Sequence, residues 1–152
     1  MNPTGTPSGL GGARGGRPPR SQQSPRGLLR GKAAIITGGE GSIGMATARA
    51  FVAEGARVCL VGLVADELRA GAASLGEAAI WAMADVTSSV QDKTAMATAA
   101  ETFGRLDVVV SNAGISGVIA PVADYPEDVF DQVMAVHAVS YTHLTLPTTE
   151  RV

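Results

Sequence analysis

The stretch Thr37-Gly38-Gly39-Glu40-Gly41-Ser42-Ile43-Gly44 has the residue types of an anion cradle. The apolar run Ala33-Ala34-Ile35-Ile36 leads into it, and a helical pattern leaves it. Glycines at a strand-to-helix turn let the backbone bend sharply and approach a pyrophosphate closely. The helix start then offers free N–H groups and the positive end of its dipole. Gly38, Gly41, Ser42, Ile43 and Gly44 are the candidate cradle. A glycine-rich run alone is a weak signal, but here a strand precedes it, a helix follows it, and further segments match downstream.

Those segments are Asp85-Val86 and Asn112-Ala113-Gly114, each just after an apolar run. The bland alternative for Asp85 is a cap for the helical region near Ser88. For Asn112–Gly114 it is a glycine turn after a strand. His137, within a helical pattern, reads either as a group that holds a water or as a packed, half-exposed histidine. Asp124, Glu127, Asp128 and Asp131 read as a solvated acidic face at a helix start. No pair of His or Cys has metal-ligand spacing, so no metal site is expected.

The elements that must position these residues alternate along the chain. Strands are expected at Lys32–Thr37, Arg57–Val61, Ala79–Met83 and Leu106–Ser111. Helical patterns run from Ile43 to a stop at Gly55, over Ala65–Leu75 to Gly76, and over Ser88–Phe103 to Gly104. Another starts at Pro126 and carries Val129, Val133 and Val136 on one face. Strands alternating with helices of this length imply right-handed crossovers, hence an α/β parallel sheet with helices on both faces and strand order 3-2-1-4. From Ser140 onward the residues show neither a helical period nor a bounded strand.

The length of 152 residues suits one domain, and 45% hydrophobic with 17% charged residues places the chain among ordinary globular proteins. No apolar run is long enough to cross a bilayer, so no membrane partner is expected. The one cysteine, Cys59, lies in an apparent buried strand, which fits a cytoplasmic setting. The net charge of −2 hides an asymmetry: residues 1–32 hold six basic residues and no acid. This Gly/Pro/Ser/Arg-rich stretch has little to bury, so residues 1–31 are expected to be disordered. The acidic remainder, without aromatic platforms, argues against a nucleic-acid partner.

Taken in this order and spacing, the glycine turn, Asp85-Val86, Ser111-Asn112-Ala113-Gly114 and the V-F-D-Q-V-M-A-V-H run at 129–137 resemble the short-chain dehydrogenase/reductase family over residues 31–139. The resemblance implies a Rossmann-type doubly wound sheet, an NAD or NADP cofactor, a small alcohol or ketone substrate, and a homo-oligomer. It implies that Asp85 and Val86 meet the adenine, and that Asn112, Ala113 and Gly114 lie by the nicotinamide ribose. Gly62, 18 residues after Gly44, stands where NAD-selective relatives place an aspartate. With no basic residue at 62 or 63 and Glu40 in the turn, the balance leans to NAD.

The family's helix asparagine falls on His137, and its serine and Tyr-x-x-x-Lys belong past the point where the pattern stops. Tyr141 is no substitute, since Thr145 stands four residues on. The expectation is therefore an N-terminal cofactor-binding fragment, residues 32–139, truncated after about four strands and followed by a foreign-looking tail at 140–152. A non-catalytic dinucleotide-binding or interaction module is the alternative.

Overall fold

The computed structural model describes residues 27–144. A strand–helix alternation fills them: β1 (Ala33–Thr37), α1 (Ser42–Ala53), β2 (Arg57–Gly62), α2 (Ala65–Leu75), β3 (Ala79–Met83), α3 (Ser89–Phe103) and β4 (Val108–Val110). After a loop, α4 (Glu127–Met134) opens into a π-helical segment, Ala135–Val139, and closes on a last helical turn, α5 (Ser140–His143). The strands make one sheet in the order β3-β2-β1-β4, every pair parallel, with Ile35 beside Cys59 and Val109, and Cys59 beside Ile80. The chain is therefore α/β with a Rossmann-type sheet, as the alternation predicts.

Side chains alternate across a strand, so each inner strand feeds two cores. Ala33, Ile35, Cys59 and Val61 face α3 and pack with Ala95, Met96, Ala99 and Phe103. Ala34, Ile36, Val58 and Leu60 face α1 and α2 and pack with Met45, Ala48, Leu68 and Ala72. Every residue of β1 is buried. Small residues on the helix faces let α1 and α3 lie close to the sheet. Gly104 ends α3 in the left-handed conformation (φ 73°), a helix end that a residue with a Cβ adopts only at a cost.

Three expectations need correction. The first concerns the tail, 1–31, whose last five residues are held in place. The Glu54 carboxylate accepts hydrogen bonds from Gly27 N (2.8 Å) and Leu28 N (3.1 Å), and Leu29 N donates to Glu54 O at 3.1 Å. Backbone donors next to the end of α1 thus find acceptors that the composition did not reveal. Residues 1–26 lie outside the described residues.

The second concerns β4, which is shorter than Leu106–Ser111, spanning Val108–Val110 with all three valines half-buried. At its start the Asp107 carboxylate turns back onto Ala33 N (2.9 Å). At its end the N–H groups of Asn112 and Ala113 go to the Thr37 hydroxyl instead of a strand carbonyl.

The third concerns 140–152, where helix continues to His143. The Ser140 hydroxyl donates back to Val136 O, Ser140 is buried, and Leu144 packs against the core under α3. Residues 145–152 of that expected tail lie outside the described residues.

Candidate functional site

At the C-terminal edge of the sheet the glycine turn, the ends of β2 and β3, and the loop after β4 enclose a cleft of about 380 Å³. The strand order reverses between β1 and β4, the place where open α/β sheets leave a crevice.

The turn is close-packed on itself. Gly38 has φ 62°, and a Cβ there would stand 3.0 Å from Ala113 Cα and 3.1 Å from Asn112 Nδ2. At Gly44 a Cβ would fall 2.3 Å from Gly38 O, so only glycine lets α1 start directly against the turn. The first intrahelical bond runs from Met45 N to Gly41 O at 2.9 Å. The N–H groups of Ser42, Ile43 and Gly44 precede it and have no partner within the helix. Gly41 adopts an ordinary extended conformation (φ −72°) as the residue before α1. All five candidate cradle residues line the cleft.

The loop after β4 is tied to the turn through Thr37, a residue the sequence reading did not single out. Its buried hydroxyl accepts from Asn112 N and Ala113 N, both at 3.0 Å, and donates to Val110 O at 3.4 Å. The Asn112 side-chain amide donates to Thr37 O (2.9 Å) and Gly38 O (3.2 Å). One hydroxyl and one carboxamide thus satisfy backbone groups where the β1–β4 ladder ends. Asn112, Ala113 and Gly114 line the cleft beside the turn.

Asp85 does not cap α3. Ser88 does, accepting from Gln91 N at 3.5 Å. The Asp85 Oδ1 instead accepts from Thr87 N (2.9 Å) and the Thr87 hydroxyl (2.7 Å), and Asp85 N donates to Gln91 Oε1 at 2.9 Å. This local turn sets Asp85 and the buried Val86 on the cleft wall.

His137 is exposed and lies in the π-helical segment. Its ring spans to the loop: Nε2 is 3.1 Å from Ile115 N and 2.9 Å from Ile115 O. A Cβ on Gly114 would meet the ring Cε1 at 2.7 Å. The imidazole therefore ties the fourth helix to the loop after β4.

Gly62 ends β2 on the cleft wall, and the Glu40 carboxylate reaches over it to accept from Leu63 N at 2.9 Å. Leu63, Ala84, Ile115 and Val136 also line the cleft. The sequence did not mark them, because apolar residues at element ends look like core. Among the described residues no group of His, Cys, Asp and Glu could hold a metal ion, and no helix is long and apolar enough to cross a membrane.

The chain matches the family model described as short chain dehydrogenase over residues 32–150. It is 44% identical over 112 residues to an uncharacterized oxidoreductase of Mycobacterium bovis, covering 72% of this chain and 45% of that protein. It is 39% identical over 111 residues to a 3-alpha-(or 20-beta)-hydroxysteroid dehydrogenase of the same organism, covering 73% and 42%. Among solved structures it resembles an NAD+-bound xylitol dehydrogenase, with TM-score 0.73 and 33% identity over 76% of this chain and 46% of the other. A 3-ketoacyl-(acyl-carrier-protein) reductase from Brucella melitensis complexed with NADH gives TM-score 0.73 and 29% identity, over 76% and 47%. The chain thus spans about half the length of the relatives it matches. With the family model covering most of its residues, the chain belongs to the short-chain dehydrogenase family.

Proposed function

We propose that this chain binds a nicotinamide dinucleotide in the cleft at the C-terminal edge of its sheet, as the cofactor-holding part of an oxidoreductase that acts on an alcohol or carbonyl. One observation carries the reading. An uncapped helix N-terminus behind a glycine turn, the Asp85-Val86 wall and the Asn112–Gly114 loop converge on a single cleft. The NAD+-bound xylitol dehydrogenase and the NADH complex of the 3-ketoacyl-(acyl-carrier-protein) reductase, which this chain resembles, support it.

The residues fit such a group. The partnerless N–H groups of Ser42, Ile43 and Gly44 would hold the pyrophosphate, and the bare Gly38 and Gly44 leave the backbone close to it. Asp85 has one carboxylate oxygen committed to Thr87, leaving the other to accept the adenine amine. The Val86 N–H would meet a ring nitrogen. Asn112 holds its loop by bonding Thr37 and Gly38, so Ala113 and Gly114 present little bulk to the nicotinamide ribose. When bound, the nicotinamide supplies hydride transfer to or from a carbonyl carbon.

Proton transfer at the reacting oxygen is a separate task. The 152 residues contain no Tyr-x-x-x-Lys, and the His137 ring is engaged by Ile115. Binding without turnover is therefore the expected behaviour, since positioned acid–base chemistry contributes about 10²–10⁴-fold. Calorimetric titration of the full chain with NADH tests the reading. One-to-one binding that ADP-ribose competes away is expected. No binding at millimolar NADH would contradict it.

A further inference from the structure

Glu40 and Gly62 fit together as a lock. Glu40 belongs to the glycine turn and Gly62 to the end of β2, yet a Cβ on Gly62 would lie 1.9 Å from Glu40 Oε2 and 2.3 Å from its Cδ. The Glu40 carboxylate therefore occupies the space that a side chain at position 62 would fill. It is anchored there: Oε1 accepts from Leu63 N at 2.9 Å. Its other oxygen, Oε2, is enclosed and has no hydrogen-bond partner. A buried acceptor left unpaired costs free energy that an incoming hydroxyl donor would recover. The last torsion of a glutamate is soft, and rotation about it moves both oxygens together, so turning Oε2 from Gly62 into the cleft loosens the Oε1 contact with the Leu63 N–H. Glu40, Gly62 and Leu63 all line the same cleft as the cradle.

We propose that Glu40 is the specificity-determining residue of this cleft: its carboxylate, delivered from the glycine turn across a bare Gly62, accepts the hydroxyls of the adenosine ribose and repels a 2′-phosphate. The proposal rests on the reading of the cleft as a dinucleotide site. It assigns Gly62 a defined part, which is to be small enough to admit Glu40. A second acid on β2 would not add to the effect, because two carboxylates in one place oppose each other.

Titration of the full chain with NADH and with NADPH, followed by nucleotide fluorescence, tests the pair. The wild type should favour NADH by about tenfold or more, the scale of one like-charge contact partly screened by water. Glu40→Gln preserves the reach and the acceptor for Leu63 N–H but removes the charge, so NADPH should rise to near parity. Gly62→Asp should weaken NADH binding, because the new carboxylate meets Glu40. Combining Glu40→Ala with Gly62→Asp should restore NADH preference by moving the acid onto β2. Exchange protection at Leu63 reports whether the Gln variant keeps the native contact. A wild type without NADH preference, or a preference unchanged in Glu40→Gln with that contact kept, would overturn the assignment of Glu40 while leaving the cleft a dinucleotide site. Failure of the wild type to bind either nucleotide would overturn the site and the assignment together.

Discussion

One ring nitrogen of His137 faces both polar groups of Ile115, 3.1 Å from its N and 2.9 Å from its O. A single nitrogen donates to the carbonyl when protonated or accepts from the N–H when bare, but it does not do both at once. Either tautomer keeps the fourth helix latched to the loop that carries Asn112–Gly114. His137→Ala should release that loop, with faster amide exchange at Ile115 and a stability loss of about 0.5 kcal/mol, the low end for a hydrogen bond because the ring is exposed. His137→Asn carries a donor and an acceptor and should keep more of the protection than Ala does.

Two glycines of the turn should respond very differently to alanine. At Gly44 the added methyl meets Gly38 O at 2.3 Å, a backbone atom that cannot move without opening the turn. Gly44→Ala should cost about 1–3 kcal/mol, as overpacking does, and should weaken nucleotide binding. At Gly41 the methyl meets the same oxygen at 3.3 Å, and φ is −72°. Gly41→Ala should cost only about a few tenths of a kcal/mol, since Ala is a poorer helix cap than Gly. Urea denaturation of both variants measures the contrast.

Stability should fall at both ends of the pH scale for identifiable reasons. The Arg105 guanidinium beside Asp107 holds its carboxyl well below the usual carboxylate range, helped by hydrogen bonds from Ala33 N and Lys32. A depressed folded-state value stabilises the fold above the unfolded value of about 3.9 and loses that contribution as pH falls below it. Asp107→Asn should lower stability at neutral pH and flatten the acid limb. Burial pushes the Cys59 thiol up to about 12. Its neutral form is favoured in the fold, so stability should decline as pH rises from about 8.5, where the unfolded thiol ionises, toward that value. Cys59→Val should flatten the alkaline limb, and native Cys59 should resist thiol reagents at neutral pH.

How much was legible in the sequence depended on the distance over which each residue finds its partner. α2 and β3 stand at Ala65–Leu75 and Ala79–Met83, where periodicity and flanking turn residues put them, because both signals are local. The role of Thr37 is not local. A threonine at the end of a buried strand looks like a β-former, and its hydroxyl gains partners only when β4 brings Asn112 alongside, 75 residues later. The charge of Glu40 in the turn is legible, but its anchor is not, because the Leu63 N–H that holds it lies 23 residues away and comes within reach only at the end of β2. The helical turn at Ser140–His143 was hidden because its polar residues mask the pattern, while the anchoring comes from a serine bonded to the preceding turn and from Leu144 on the core.

Amide-resolved titration of the full chain with NADH tests the central claim most directly. Binding in the cleft predicts saturable, one-to-one shifts concentrated at Ser42, Ile43, Gly44, Leu63, Val86, Ala113 and Gly114, with Gly27–Gly31 at the far end of the sheet unmoved. Absent shifts, or shifts centred on the separate groove of Val122, Tyr125 and Phe130, would contradict the account.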